Sequence, residues 1–153
     1  MTQDIRIYVD ADACPVKEEV YRVAFRLEIP VAVVSNSFIR TPKGKLVSFV
    51  LVDATPDAAD DYIAEHADEM SVVITADILL AERCLNVGAR VLAPNGKPFT
   101  LDSIGSAVAM RAIMEDMRGT GESTGGPPPF SAKDRSRFLS ALDTAVMALR
   151  RAR

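Results

Sequence analysis

The start of the chain holds the feature that most constrains its fold, a β-branched run that ends in two aspartates. Residues 5–9 predict a buried strand because apolar and β-branched side chains dominate them. Asp10 and Asp12 follow that strand, and Pro15 then stands in the first turn of a predicted helix. The two carboxylates therefore fall at the carboxyl end of a strand, where ligands bind in open α/β sheets. The pair predicts an acidic site for a metal ion or for phosphate transfer.

Apolar runs of strand and helix length alternate over the first two-thirds of the chain. The strands are predicted at 5–9, 31–35, 46–52, 72–75 and 90–92, and the helices at 15–28, 56–70 and 78–87. Such alternation is typical of a mainly parallel sheet with helices on both faces. We therefore predict an α/β fold, a three-layer Rossmann-like domain with four or five strands and extra C-terminal helices.

The last third of the chain has a different character. Residues 119–130 are rich in Gly, Ser, Thr and Pro, which predicts a mobile linker or lid. Ser131 can cap a final basic helix, 131–153, which holds six Lys and Arg against two Asp and so carries a net +4. That helix needs a surface, on this subunit or on a second copy in a homo-oligomer, to cover its apolar stripe of Phe138, Leu142, Val146 and Leu149.

Composition predicts one soluble, cytoplasmic domain spanning 1–153. A chain of 153 residues is large enough for a core without disulfides. No run of about 18 apolar residues predicts a membrane span, and the first strand starts too early to leave room for a signal peptide. Cys14 and Cys84 lie far apart, and His66 does not complete a zinc-binding spacing with them. We therefore expect no membrane partner and no structural zinc.

Further acids are placed to join Asp10 and Asp12. Asp77 follows the strand at 72–75, and if the first and fourth strands are neighbours it faces the same crevice as Asp10. Hard cations such as Mg²⁺ or Mn²⁺ take carboxylate oxygens, and several carboxylates in one pocket repel unless a cation balances them. Helix capping and solvation are the alternative explanation. The predicted metal ligands are Asp10, Asp12, Asp77 and one or both of Asp60 and Asp61, with Asp57 a further candidate; Asp10, Asp12 and Asp77 are the predicted catalytic residues.

Polar and basic residues near the same edge are candidate substrate contacts. A helix N-terminus favours anions, and a basic helix face neutralises backbone phosphates, so these residues suit a nucleic acid as partner. A solvated helix face and ordinary turn chemistry explain the same residues equally well. The candidates are Lys17, Ser35, Asn36, Lys133, Arg135 and Arg137.

Several of these motifs together resemble the YaiI/YqxD family of uncharacterised bacterial proteins. The resemblance rests, in the same order along the chain, on segments 10–17, 57–63, 75–82 and 125–137. That family is grouped with PIN-like domains, Rossmann-like sheets that often cleave RNA with acidic residues and Mg²⁺ or Mn²⁺. The resemblance implies Asp10 as a first-strand ligand, Thr75 and Asp77 as a Thr-x-Asp signature, and Asp60 or Asp61 as the mid-chain acid.

One departure from the PIN-like pattern keeps other functions open. Many PIN nucleases have another acid soon after Thr-x-Asp, whereas Ile78, Leu79 and Leu80 follow Asp77 here. Asp12 is the residue placed to substitute. A haloacid-dehalogenase-like phosphatase, with Asp-x-Asp after its first strand, is one alternative. A non-catalytic RNA- or protein-binding module, whose acids only cap helices, is the other.

Overall fold

A computed structural model describes residues 4–12, 14–55, 57–105 and 130–152. The predicted linker at 119–130 lies outside the described residues except for Phe130. None of the helices in the described ranges is long and apolar enough to cross a lipid bilayer. The strands are β1 (Arg6–Asp10), β2 (Val31–Ser35), β3 (Val47–Leu51), β4 (Ser71–Ile74), β5 (Arg90–Leu92) and β6 (Pro98–Phe99). The helices are α1 (Lys17–Leu27), α2 (Ala58–His66), α3 (Ile78–Asn86), α4 (described over 101–105) and α5 (Ala132–Ala152).

The six strands form one sheet in the order β3-β2-β1-β4-β5-β6. The first five in this order are parallel, and β6 runs antiparallel to β5. The predicted mainly parallel sheet is therefore confirmed, with one strand more than expected. The sequence did not indicate β6 because its two residues are too few to show any periodicity. The chain reverses its winding direction between β1 and β4, which are neighbours.

Helices cover both faces of the sheet, as the three-layer prediction requires. Alternate side chains of a strand point to opposite faces, so each strand serves two cores. Ile7 and Val9 of β1 belong to the core beneath α1 and α5. Tyr8, between them, belongs to the core beneath α2 and α3. Because both faces are buried, β2 and β4 consist mostly of Val, Ile and Ala.

Two helices differ from their predicted bounds for local reasons. Helix α1 ends before Pro30 is reached because Glu28 takes a left-handed conformation with φ 59°. Helix α2 ends at His66 rather than near Met70 because Ala67 is extended. The Asp68 carboxylate then holds a turn, accepting hydrogen bonds from the Met70 amide at 2.9 Å and the Ser71 hydroxyl at 3.0 Å. This local bonding competes with the helix and starts β4 early.

Helix α5 packs along α1 and runs in the same direction. Its predicted cap is confirmed, because the Ser131 hydroxyl accepts from the Asp134 amide at 3.1 Å and the Asp134 carboxylate accepts from the Ser131 amide at 3.0 Å. Arg150 near its end donates to the carbonyl oxygen of Leu27, the last residue of α1. The apolar stripe of Phe138, Leu142, Val146 and Leu149 is buried in the core it shares with α1. One chain therefore covers the stripe without a second copy.

The turn after β5 touches the backbone of α5, which gives a matched pair of glycine substitutions. Gly96 and Gly88 both have φ +89°, so alanine is strained at either position by about 1 kcal/mol. A Cβ at Gly96 would lie 2.8 Å from the carbonyl carbon and oxygen of Arg137, whereas one at Gly88 would lie 3.5 Å from Glu69 Cβ. We expect Gly96→Ala to lower the free energy of unfolding by about 2 kcal/mol more than Gly88→Ala, because α5 must move. Urea denaturation measures the difference, and equal losses would contradict the contact.

Candidate functional site

A polar pocket opens at the carboxyl ends of β1 and β4, where the winding direction reverses. Its volume is about 470 Å³. Ligands of open α/β sheets bind at such a switch point because the loops leave the strand ends in opposite directions. Asp10, Asp12, Asp60 and Asp77 all line this pocket, together with Cys14, Ile74, Thr75, Ala76, Ile78 and Pro94. The fold therefore brings together acids from three segments: the end of β1, helix α2 and the start of α3.

Asp10 is the last residue of β1, and a residue that directly follows the adjacent strand β4 holds it in place. The Thr75 hydroxyl donates to Asp10 Oδ2 at 2.8 Å, and the same hydroxyl accepts from the Asp77 amide at 3.0 Å. Thr75 is almost completely buried, so its hydroxyl has few alternative orientations. Threonine at this position therefore fixes the direction of the Asp10 carboxylate.

Asp12 occupies the exposed rim of the pocket on the β2 side. The hydroxyl of Ser35, which is fully buried at the end of β2, donates to Asp12 Oδ1 at 2.9 Å. The same hydroxyl accepts from the Ser37 amide at 3.1 Å. Ser35, predicted as a substrate contact, instead orients an acid of the pocket, and its neighbour Asn36 is exposed beside it.

Asp77 both caps α3 and lines the pocket. Its Oδ1 accepts from the Leu79 amide at 2.9 Å and from the Leu80 amide at 3.5 Å, which satisfies two amides of the first helical turn. Asp77 therefore caps a helix and also faces the pocket. The cap leaves the carboxylate charge at the pocket wall, in a direction set by the helix backbone.

The structure distinguishes the three acids at the start of α2. Asp60 lines the pocket and hydrogen-bonds with Asp77. Asp61 instead pairs with Arg83 of α3 at 2.8 Å and is not among the lining residues. Asp57 is the exposed N-cap residue of α2 and also does not line the pocket. Of the acids in this segment, only Asp60 is positioned to act with Asp10, Asp12 and Asp77.

Burial and mutual repulsion raise the pKa values of two of these acids. The pKa of Asp10 lies above its usual value mainly because of burial, although the Thr75 hydrogen bond acts in the opposite direction. The pKa of Asp60 is raised to about 6, first by burial and then by the charges of Asp77 and Asp10 and the hydrogen bond with Asp77. The pocket thus holds more negative charge than its surroundings balance.

The donor chemistry of the pocket fits a divalent cation of the Mg²⁺ or Mn²⁺ type. Such ions prefer carboxylate oxygens, and an ion near Asp60 would relieve the repulsion that raises its pKa. Within the described ranges, no group of three or more His, Cys, Asp and Glu side chains is arranged to hold a metal ion. The residues thus match such an ion in charge and donor type, whereas their present spacing does not form a coordination shell.

Cys14 and Lys17 lie where the loop after β1 enters α1. Burial raises the pKa of the Cys14 thiol, and the nearby Lys17 charge only partly opposes this effect. A buried thiol with a raised pKa packs well and is a poor nucleophile at neutral pH. The Lys17 ammonium donates to the Cys14 carbonyl oxygen at 2.9 Å, so its charge is held beside a residue that lines the pocket.

The basic start of α5 lies at the same end of the molecule as the pocket. Arg135 donates to the Pro15 carbonyl oxygen at 2.7 Å and to Glu19 at 3.2 Å, and its guanidinium carbon lies 5.1 Å from the Phe130 ring centroid. These contacts give Arg135 a structural role in fastening α5 to α1. Lys133 is exposed, and Arg137 lies 3.8 Å from Asp134 on the helix surface.

One residue that lines the pocket was not predicted from the sequence. Pro94, which follows β5, is a lining residue, and the turn it begins contacts Arg137 through Gly96. The available signal was the position of Pro94 after a parallel strand, since all such strand ends meet at one edge of the sheet. Proline offers no side-chain donor, so residue chemistry alone gave no reason to select it.

The raised pKa of Asp60 predicts that removing its charge stabilises the metal-free protein. Because the folded-state pKa of about 6 exceeds the ordinary Asp value of 3.8, stability falls as pH rises from about 4 to about 6. We expect Asp60→Asn to raise the free energy of unfolding at pH 7 in EDTA by about 1 kcal/mol, since solvent screens this partly exposed group. The gain should vanish near pH 4.

Asp61→Asn is the matched control, because it removes the same charge from the adjacent residue. Asp61 is paired with Arg83, so its loss should leave stability unchanged or slightly lower at every pH. Thermal denaturation of both variants between pH 4 and pH 8 checks the difference. An Asp60→Asn protein no more stable than the Asp61→Asn protein at pH 7 would contradict the repulsion.

Comparison with known proteins gives a family but no activity. A family model described as "Uncharacterized BCR, YaiI/YqxD family" matches residues 8–148. A UPF0178 protein of Sphingopyxis alaskensis is 63% identical over 146 residues, covering 95% of each chain. The UPF0178 protein bll3966 of Bradyrhizobium diazoefficiens is 56% identical over 148 residues, covering 97% of this chain and 89% of its own. No solved structure matches the chain. With the match spanning both acidic strand ends and most of α5, the chain belongs to the YaiI/YqxD family of uncharacterised bacterial proteins.

Proposed function

We propose that this protein is a divalent-metal-dependent ribonuclease, as its PIN-like resemblance implies. The observation that carries the proposal is the convergence of Asp10, Asp12, Asp60 and Asp77 on one pocket at the switch point of the sheet. Acids that only capped helices would have no reason to share a pocket in which they raise one another's pKa values. Functional sites typically hold ionisable groups of like charge close together in spite of their repulsion, which shifts the pKa values of those groups.

Hydrogen-bond donors around the pocket hold three of its four acids in fixed directions, which favours ion binding. Thr75 orients Asp10, Ser35 orients Asp12, and the first amides of α3 orient Asp77. Asp60 lies near the charges of Asp77 and Asp10, which raise its pKa, so an ion would relieve the repulsion on this carboxylate. Hydrogen bonds that orient the ligating carboxylates in this way determine how well the carboxylates bind a metal.

The reaction we propose is hydrolysis of an RNA phosphodiester. A bound divalent ion would supply the positive charge that activates water and balances the charge developing on the phosphate. The attacking water gives up a proton to solvent as its oxygen bonds to phosphorus. The bond from phosphorus to one ribose oxygen breaks, and that oxygen takes a proton from solvent. Asp10 and Asp77 would then serve by holding the reacting groups at the pocket wall, beside β1 and β4.

Cations at the rim support an anionic polymer as substrate. Lys17 is held beside the pocket, and Lys133 and Arg137 lie on the start of α5, next to the turn that forms one wall. Phosphate contacts of this type give affinity without sequence preference. Arg135 contributes less in this proposal, since its guanidinium already binds Pro15 and Glu19.

We expect Asp10→Asn to abolish Mn²⁺-dependent cleavage of single-stranded RNA while leaving the fold intact. The substitution removes a ligand charge at the sheet edge and keeps the side-chain volume, so cleavage should fall by at least about 100-fold. Asp61→Asn is the control, because Asp61 is an equal charge outside the pocket and should retain activity. Gel assays with and without EDTA measure cleavage, and circular dichroism verifies folding.

The outcomes separate the three functions that the sequence left open. Cleavage by the parent protein that persists in Asp10→Asn would contradict the proposal. Hydrolysis of p-nitrophenyl phosphate that is lost in Asp10→Asn, with no RNA cleavage, would favour a phosphatase. RNA binding without cleavage or Mn²⁺ binding would favour the non-catalytic module.

We further expect Lys133→Ala to weaken RNA binding and to reduce its salt dependence. Loss of one phosphate contact to a single strand lowers the slope of log affinity against log salt by about 0.7. Arg151→Ala is the control, because Arg151 is exposed at the far end of α5, beside the residue that contacts Leu27. Fluorescence anisotropy at several salt concentrations gives both slopes, and equal slopes for the two variants would contradict a role for Lys133.

A further inference from the structure

The loop between β2 and β3, residues 36–46, presents an aromatic side chain to solvent. The Phe38 side chain is 81% exposed, the largest fraction among the large apolar residues described. Its ring centroid lies 5.6 Å from that of Phe49 on β3, with the ring planes at 70°. Phe49 and Ile39 both pack against the core beneath α1 and α5. The Phe38 ring is therefore supported from below and free on its outer side.

The same loop is basic in an otherwise acidic chain. Residues 36–46 contain Arg40, Lys43 and Lys45 and no acid, while the whole chain has a net charge of −3. In the described part of the chain, none of the three cations takes part in an ion pair. An exposed aromatic ring among unpaired cations is suited to bind a polyanion that carries flat rings.

The loop starts at the rim of the acidic pocket. Ser35 is bonded to Asp12 of the pocket, and the Ser37 amide donates to the same Ser35 hydroxyl. Phe38 follows Ser35 by three residues, which span at most about 11 Å. The loop then crosses to the amino end of β3, where the Leu46 carbonyl oxygen accepts from the Val31 amide at 2.8 Å. An RNA strand that leaves the pocket could thus reach Phe38 within a short distance and continue along the loop.

We propose that the 36–46 loop is a subsite for single-stranded RNA, with a base stacked on Phe38 and phosphates beside Arg40, Lys43 and Lys45. Stacking on an aromatic ring needs an unpaired base, because bases in a duplex are already stacked on one another. Charge complementarity favours RNA over a protein partner, since the loop holds three cations and no acid, and a nucleic acid strand carries a negative charge at every phosphate. The inference rests on the proposed function of the pocket but makes its own prediction about binding.

The test measures binding in EDTA, so that cleavage plays no part in it. A fluorescein-labelled single strand of about 12 nucleotides, within the range of known site sizes, is titrated at low salt against the full chain. We expect Phe38→Ala to raise the Kd about five- to tenfold, the lower end of what loss of one stacked base causes, and Phe38→Tyr to remain close to the parent. Phe38 is exposed, so neither substitution should disturb folding.

Matched controls separate the loop from general effects of exposed aromatic or charged residues. Phe25 is 45% exposed in the last turns of α1, far from the carboxyl edge of the sheet, so Phe25→Ala should not change the Kd. The double variant Lys43→Ala, Lys45→Ala should lower the salt slope by about 1.4, and Arg151→Ala should lower it less. A duplex of the same length should bind more weakly than the single strand and should not respond to Phe38→Ala.

Each result bears on the subsite separately from the nuclease activity. Binding that weakens in Phe38→Ala supports the subsite even if Mn²⁺ brings about no cleavage. An unchanged Kd in Phe38→Ala, or no RNA binding by the parent, overturns it even if the protein cleaves RNA. A change in sedimentation of Phe38→Ala with unaltered RNA binding would also overturn it, in favour of a contact between protein chains.

Discussion

The hydrogen bond from the Thr75 hydroxyl to Asp10 is the contact on which the site depends. It joins the ends of β1 and β4, the two strands at which the winding of the sheet reverses. The same hydroxyl accepts from the Asp77 amide and so sets the start of α3. One buried side chain thereby fixes two acids from segments 65 residues apart. A valine would fill the same space but could make neither bond, which explains a polar residue at the end of an apolar strand.

The site gathers like charges in a place where burial already disfavours them. Asp10 and Asp60 both have raised pKa values, and the hydrogen bond from Thr75 opposes the rise at Asp10. Folding must therefore provide the free energy that holds the carboxylates together, and the two packed cores on the sheet supply it. Such local conflict within a consistent fold is typical of a functional site rather than of surface variation.

The sequence was sufficient for the order of elements from β1 to β5 and for the edge of the sheet at which the acids meet. It could not decide between Asp60 and Asp61, because adjacent helical residues point about 100° apart and the rotation of α2 depends on packing. It suggested Arg135 as a substrate contact because charge is visible locally, while the bond to Pro15 crosses 120 residues. Positions set by long-range packing were therefore the ones that local pattern could not assign.

An acidic pocket in an acidic chain can receive a polyanion only if positive charge is placed close to it. The fold achieves this by running α5 in the same direction as α1, so that Lys133 and Arg137 lie at the pocket end. On the other side, Ser35 connects the pocket to the basic 36–46 loop. Exposed charges act over about 8 Å at physiological salt, so the cations nearest the pocket matter most for a polyanion that binds there. Cleavage of RNA as proposed above depends on the placement of charge beside the pocket rather than on net charge.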